Sequence, residues 1–407
     1  MTTETLQPSS SVASENTNST IHQTPQKLTR VMHVINGEHY SGAERVQDLL
    51  AMCLPAEGFE VGFCCIKRGR FEETRVSQNA RLYSLPQWSK FDLRVAWRLA
   101  KIIRREDYQL VHAHTPRSAL VASIASRLTR RPLVYHVHSP TSRDSTRWLH
   151  NKLNTLAENW GIKRASRLIT VSSSLRRHMQ SQGVAPDRIT VVPNGVPATS
   201  KRRGEQLPGT TWTLGTVALF RPRKGTEVLL DTVGILRQQG HDVRLRAVGP
   251  FETTEYEAGL KQQAATLGIE DAIDWTGFTT DVNAELQKMD LFVLPSLFGE
   301  GLPMVVLEAM AAGVPVVGTD VEGVPEAIRD HVDGMIAQAH DPQDLARAIA
   351  EVIGDQVDWS SLRESAIDRH AECFSDQSMA KGVAEVYRSI LNREPKALAS
   401  DDSMRNI

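Results

Sequence analysis

Gly299-Glu300-Gly301-Leu302-Pro303-Met304-Val305-Val306-Leu307-Glu308-Ala309-Met310-Ala311-Ala312-Gly313-Val314-Pro315-Val316-Val317-Gly318 reads as a loop, a helix and a strand. Pro303 suits the first turn of a helix, where a missing N–H costs little. Gly313 and Pro315 stop that helix before a Val-rich strand, so the pattern predicts a helix over 303–312 and a strand over 314–318. The helix N-terminus presents free N–H groups and a partial positive charge, a natural seat for phosphate. Glu300 lies in the glycine-flanked loop at that mouth. Glu308 sits about one and a half turns inside, roughly 7–8 Å along the axis, with its side chain leaning back toward the N-terminus.

This stretch is flanked by Leu294-Pro295-Ser296 and by Val321-Glu322-Gly323-Val324-Pro325-Glu326. With those flanks it resembles the retaining glycosyltransferases of family 4. The resemblance implies that Glu300 lies beside the donor sugar and that Glu308 binds the ribose hydroxyls of the nucleotide. Two Glu residues at this spacing alone would suit a solvated amphipathic helix; the whole twenty-residue context carries the functional reading.

Outward from this unit, short apolar runs alternate with helical patterns in both directions. Strands are predicted at 30–36, 61–66, 110–114, 133–138, 168–171 and 189–192. A second series runs 214–218, 243–248, 273–276, 291–294, 314–318 and 334–336. Helices are predicted at 43–54, 93–105, 119–128, 146–165, 227–237, 256–267, 303–312, 343–354 and 379–391. Apolar strands each followed by a helix indicate parallel sheets covered on both faces. The expected architecture is α/β, two consecutive Rossmann-like doubly wound domains of GT-B type facing each other across a cleft, with nucleotide chemistry where strand ends meet helix starts. The expected division is a tail over 1–28, an N-terminal acceptor domain over 29–195 and a linker over 196–210. A nucleotide-sugar donor domain over 211–372, a helix over 373–394 and a tail over 395–407 complete it. By resemblance, that last helix returns to the first domain.

At 407 residues the chain has room for two domains and a core that needs no disulfide. Cys53, Cys64, Cys65 and Cys373 show no framework spacing and read as small hydrophobes. Residues 1–28 are rich in Ser, Thr, Gln and Asn and read as a disordered tail, not a secretory signal. No run is apolar enough to span a bilayer, so a cytoplasmic protein is expected. Net charge near zero hides an asymmetry: residues 85–180 hold 18 Lys and Arg against 5 acids, residues 281–359 hold 3 against 15. The basic half, with Arg94, Arg98, Lys101, Arg104 and Arg105, suits either a solvated helix face or the anionic inner face of a membrane. Few aromatics interleave these residues, which disfavours nucleic acid as a partner.

Three further places carry chemistry. The turn Asn36-Gly37-Glu38-His39-Tyr40-Ser41-Gly42 precedes a helix, and the family's donor-phosphate loop matches it at Gly42. Arg221-Pro222-Arg223-Lys224-Gly225 places cations beside a strand end, suited to a pyrophosphate whose charge grows as the glycosidic bond breaks. Lys224 transfers cleanly from the family pattern. The family's Arg position holds Leu219, leaving Arg221 or Arg223 to supply the guanidinium. His112-x-His114 and His136-x-His138 each close a strand with both rings on one face. The resemblance selects His138 as the one near the reacting centre, with the other three expected as polar residues capping strand ends. Zinc is not expected, since no Cys or acid shares their spacing. The resemblance further places the backbone of Trp275 to Thr279 beside the nucleobase.

The expected reaction moves a sugar from a nucleoside-diphosphate sugar to an acceptor hydroxyl with retention. Lys224, Arg221 or Arg223, and the Gly301 and Leu302 amides would hold the diphosphate, Glu308 the ribose, and Glu300 and His138 the reacting sugar. No cofactor is expected and, because no Asp-x-Asp occurs, no metal. The expected partners are the donor and a glycan or lipid-linked acceptor, in cell-surface polysaccharide or glycolipid synthesis. Two alternatives are a nucleotide-sugar epimerase, which would consume donor without acceptor, and a non-catalytic component of a glycan assembly complex.

Overall fold

The computed structural model describes residues 27–89, 92–139 and 160–392. The two predicted tails lie largely outside those residues, as does most of the helix expected over 146–165.

The first sheet has seven parallel strands in the order β3-β2-β1-β4-β5-β6-β7. They are β1 (Thr29–Ile35), β2 (Phe59–Cys65), β3 (Arg81–Ser84), β4 (Leu110–Ala113), β5 (Leu133–Val137), β6 (Arg167–Thr170) and β7 (Ile189–Val191). Between them run α1 (Gly42–Cys53), α2 (Phe71–Thr74), α3 (Arg94–Arg105), α4 (Pro116–Thr129) and α5 (Ser173–Ser181). Buried Val, Ile and Leu runs in β1, β4 and β5 explain why those strands sit centrally. β3 escapes sequence reading because it is short, partly exposed and polar, as an edge strand is permitted to be.

The second sheet has six parallel strands in the order β10-β9-β8-β11-β12-β13. These are β8 (Trp212–Val217), β9 (Val243–Val248), β10 (Ile273–Gly277), β11 (Leu291–Leu294), β12 (Val316–Thr319) and β13 (Met335–Ala337). Its helices are α6 (Thr226–Gln238), α7 (Thr254–Leu267), α8 (Val282–Leu286), α9 (Met304–Ala311), α10 (Val324–Ala327), α11 (Pro342–Ile353) and α12 (Trp359–Cys373). Helix α12 was not legible because its charged residues follow no clear apolar stripe. The fold nonetheless anchors it at Trp359, which is buried, donates to Asp290 O at 2.8 Å and lies under the Arg203 guanidinium at 4.4 Å. Pro303 is not the first helical residue expected of it. Its ψ of 115° is extended, and α9 begins one residue later, because the loop must still turn from Leu302 into the helix.

The last helix, α13 (Asp376–Leu391), packs on α1. Tyr387 on it is fully buried against the first sheet, its ring 5.1 Å from Phe59. A bridge between Val196 and Ser375 sets its entry, and a Cβ on Gly195 would lie 2.1 Å from Ser375 O, so only glycine lets the two chains cross there.

Each sheet reverses its strand order beside its first strand. The crevice beyond the strand ends is therefore bounded by the loops after β1 and β4 in the first domain, and after β8 and β11 in the second.

Candidate active site

The loop after β8 makes a single 3-10 turn, Pro222–Lys224, and leaves it at Gly225, whose φ is +67°. A Cβ there would stand 1.9 Å from Pro295 O, so the two switch-point loops cross in contact. Lys224 Nζ lies 2.5 Å from Glu300 Oε1, and the same oxygen accepts from Ser296 Oγ at 2.7 Å. Arg223 Nη1 stands 3.7 Å away, whereas Arg221 faces Glu252 at 3.8 Å. Of the two arginines, Arg223 is the one brought to Glu300.

Glu300 is 5% exposed. Burial pushes its carboxyl up, but the Lys224 ammonium, then Arg223, outweigh this and hold it below the ordinary Glu value. For Lys224 burial, with the neighbouring Arg223 and Arg221 charges, lowers the ammonium against the pull of Glu300, and its pKa falls. The result is a desolvated ion pair at the switch point of the second sheet.

Glu322 braces the loop from behind: its Oε2 accepts from the Gly299 amide at 2.9 Å and the Glu300 amide at 3.2 Å. Gly301 is wedged between domains. A Cβ on it would be 2.0 Å from His138 O, and one on Gly323 would be 1.8 Å from Gly301 O. Among the described residues the Gly301 and Leu302 amides donate to no protein acceptor. The Leu302 carbonyl accepts from Asn194 Nδ2, in the first domain, at 2.9 Å.

Glu308, midway along α9, is paired with Arg45 of α1 in the other domain. Gly42 opens α1 and faces Met304, whose sulfur would lie 3.8 Å from an added Cβ. The first turns of α1 and α9 therefore look at each other.

The paired histidines do not cap their strands. Their rings turn inward and pack with His33, which sequence reading passed over, and the five lie within or just beyond β1, β4 and β5. Tyr387 Oη bonds His112 Nδ1 at 2.6 Å and His33 Nε2 at 3.0 Å. His33 Nδ1 meets His114 Nε2 at 3.1 Å, and His114 Nδ1 meets His138 Nε2 at 3.1 Å. A chain of imidazoles thus runs from Tyr387 of α13 to His138, whose backbone carbonyl lies against Gly301. Burial holds the rings neutral: His33 falls to about 3, His138 to about 4, and the other three well below their usual value. Two sets, His33/His112/His114 and His114/His136/His138, bring ring nitrogens within 4.8 Å of one another. Most of these nitrogens already serve the chain.

Arg45, Asn194, Glu322, Glu326, His33 and Tyr387 complete the site, and sequence reading gave none of them a role. Glu322 and Glu326 stood in the quoted flank of the family stretch. The others are remote in sequence and only folding gathers them.

Two parallel Rossmann-like sheets, with Lys224 and Glu300 at the switch point of the second and the histidine chain at that of the first, are the architecture of a GT-B glycosyltransferase. The profile described as Glycosyltransferase Family 4 matches residues 40–200, and that described as Glycosyl transferases group 1 matches residues 198–371. The chain belongs to glycosyltransferase family 4 and moves a sugar, with retention, from a nucleoside-diphosphate sugar to an acceptor hydroxyl. It is 29% identical over 294 residues to phosphatidyl-myo-inositol mannosyltransferase of Mycobacterium leprae, covering 70% of this chain and 74% of that one. It is 25% identical over 352 residues to the UDP-Gal:alpha-D-GlcNAc-diphosphoundecaprenol alpha-1,3-galactosyltransferase of Escherichia coli, covering 81% and 89%. The structure of Anabaena Alr3699/HepE in complex with UDP-glucose shares the fold, with a TM-score of 0.77, 23% identity and coverage of 88% and 99%.

Proposed function

We propose that the buried Lys224–Glu300 pair, opposite His138, is the catalytic centre for sugar transfer to a lipid-linked acceptor. The observation that carries this is the 2.5 Å contact of Lys224 with a carboxylate of 5% exposure, at the switch point of the second sheet. A desolvated ion pair is costly to stability, and charges so perturbed cluster at functional sites. The donor diphosphate would take Lys224 and Arg223 as counter-charges, with the Gly301 and Leu302 amides completing its seat. Gly42 would let α1 approach the phosphates, and the Trp275 to Thr279 backbone would lie beside the base. Glu308 would exchange Arg45 for the ribose hydroxyls.

The bond between the anomeric carbon and the phosphate oxygen then breaks, and the acceptor oxygen forms the new bond on the same face. Its proton passes to the departing phosphate. Glu300 holds donor hydroxyls and stabilises positive charge at the anomeric carbon, while His138 orients the sugar from the first domain. A carboxylate already pinned by Lys224 and Ser296 is a poor nucleophile, which favours this route over a covalent intermediate. Protein cations meet the diphosphate charge, so the chemistry does not call for a metal.

The acceptor side is basic. A cleft of about 680 Å³ beyond the ends of β2 and β3 is lined by Lys67, Arg68, Arg117 and Trp88. Beside it α3 presents Arg94, Arg98 and Lys101 on one exposed face, with Trp97 66% and Trp88 90% exposed. Cations with interfacial Trp suit an anionic membrane surface and an acceptor carried on lipid. No helix among the described residues is long and apolar enough to cross a membrane, and attachment would be peripheral, through this basic face. The test is a thermal-shift screen against UDP-, GDP- and ADP-sugars for wild type and Glu308→Ala. One donor class should stabilise wild type and the variant much less. Equal shifts in both proteins would remove Glu308 from the site.

A further inference from the structure

The carboxylate of Glu326 crosses the cleft. Its Oε2 accepts from the Ser173 amide at 2.6 Å and its Oε1 from the Ser174 amide at 2.6 Å. Those two amides are the first of α5, a helix of nine residues in the first domain. The next one, Leu175 N, is served by the local cap Ser172 Oγ at 3.2 Å. A helix start usually finds such partners within its own neighbourhood or in water. Here two of the free N–H groups, and the positive end of the helix dipole, are met by a negative charge from the other domain.

The carboxylate is rigidly presented. Arg369 holds the turn beneath it, donating to Glu326 O at 2.8 Å and to Ala327 O at 2.7 Å. Four residues earlier on the same segment, Glu322 grips the Gly299 and Glu300 amides. The short piece 322–326 therefore holds the catalytic loop with one carboxylate and the opposite domain with the other. Leu175, in the gripped turn, is itself 3.1 Å from where a Cβ of Gly301 would stand.

We propose that Glu326 is the positioning residue that latches the two domains closed, by capping α5 across the cleft, so that closure and assembly of the Glu300 loop are one event. The contact itself stands apart from the functional reading above; only its effect on turnover rests on that reading. With the latch absent, donor still binds the second domain, but the first domain no longer seats His138 against Gly301.

The test uses the full chain and three variants: Glu326→Ala, Glu326→Gln and Ser172→Ala. Single-amide hydrogen exchange without any ligand reads the latch directly. Protection at Ser173 and Ser174 should fall at least tenfold in Glu326→Ala and less in Glu326→Gln, which keeps one acceptor oxygen, while β5 and α9 are unchanged. In steady-state assays with the UDP-, GDP- or ADP-sugar that supports turnover, Glu326→Ala should lose at least tenfold in kcat with donor KM within threefold. Ser172→Ala weakens the same helix end without touching the other domain, and should lower melting temperature yet keep kcat within twofold. Unchanged exchange at Ser173 and Ser174 in Glu326→Ala would overturn the latch, whatever the activity. Equal kcat losses in Ser172→Ala and Glu326→Ala would reduce Glu326 to a helix cap. If no donor turns over, the exchange result alone decides for or against the latch, and the failure falls on the functional reading.

Discussion

The guanidinium of Arg45, on α1 of the first domain, is paired with the carboxylate of Glu308, on α9 of the second. Their side chains are 33% and 12% exposed, so water reaches the pair from one side only. The pair occupies the carboxylate that the ribose hydroxyls would use. Arg45→Ala frees it at the loss of one partly exposed ion pair, worth about 1 kcal/mol. Titration calorimetry with UDP, GDP or ADP should show the bound nucleotide held roughly fivefold more tightly. Weaker binding would mean that Arg45 itself touches the nucleotide.

Glu300→Gln keeps shape and removes charge. Losing one preorganised electrostatic contact at a reacting centre typically costs about 3 kcal/mol, so kcat should drop on the order of 100-fold or more. Nucleotide binding should stay within a few-fold, because Lys224 and Arg223 remain. Retained turnover would exclude Glu300 from the chemistry.

Acid should unfold the protein through its histidines. His33 and His138 titrate at about 3 and about 4 in the fold, against roughly 6.5 in the unfolded chain. Between those values the unfolded chain binds more protons, so stability increases with pH across this window and is lost as pH falls below about 6.5. Each such ring contributes a slope of about 1.4 kcal/mol per pH unit. His136, neither of whose buried ring nitrogens has a hydrogen-bond partner among the described residues, can be replaced by Phe. Denaturant unfolding followed from pH 7 to 5 should show a shallower acid loss in His136→Phe than in wild type. Parallel curves would show that His136 is not held neutral by the fold.

Activity should carry two limbs. Lys224 must be charged to hold phosphate, and its pKa lies below 10.5; Glu300 must be ionised, and its pKa lies below 4.5. The alkaline limb of kcat/KM therefore falls short of an ordinary lysine, and the acid limb lies under an ordinary glutamate. Lys224→Arg, which stays charged, should push the alkaline limb upward in a pH–rate series. An unmoved limb would assign it to another group.

Membrane attachment should follow the α3 face. Each Lys or Arg near an anionic surface contributes about 1 kcal/mol. Replacing Arg94, Arg98 and Lys101 together by Glu should cut co-sedimentation with phosphatidylglycerol vesicles by at least tenfold. Vesicles of phosphatidylcholine should bind neither protein well. Equal binding of the variant to anionic vesicles would make this face merely solvated.

Most of the central strands and long helices were legible because their apolar residues recur at the period of the element they form. β3 and α12 were not: Arg81–Ser84 is a polar edge, and α12 is held by Trp359 and Arg203 contacts that no local pattern announces. The same division runs through the site. Glu300, Glu308 and Lys224 stand out because glycine, proline and charge cluster around them within a few positions. Arg45, Asn194 and Tyr387 do not, since each is an ordinary residue on an ordinary element until another element arrives beside it.

What the chain alone determined was periodicity, punctuation and a family stretch, which together specify two doubly wound sheets and the loops that follow β8 and β11. Which side chains meet across the cleft was decided only by the tertiary structure. Arg223 rather than Arg221 stands beside Glu300, while Arg221 faces Glu252. His33 joins histidines far along the chain because β1 pairs with β4. Glu326 reaches α5 because Arg369 anchors its turn. Contacts between residues so remote depend on where whole elements pack, and that information is spread over the entire core rather than written beside any one of them.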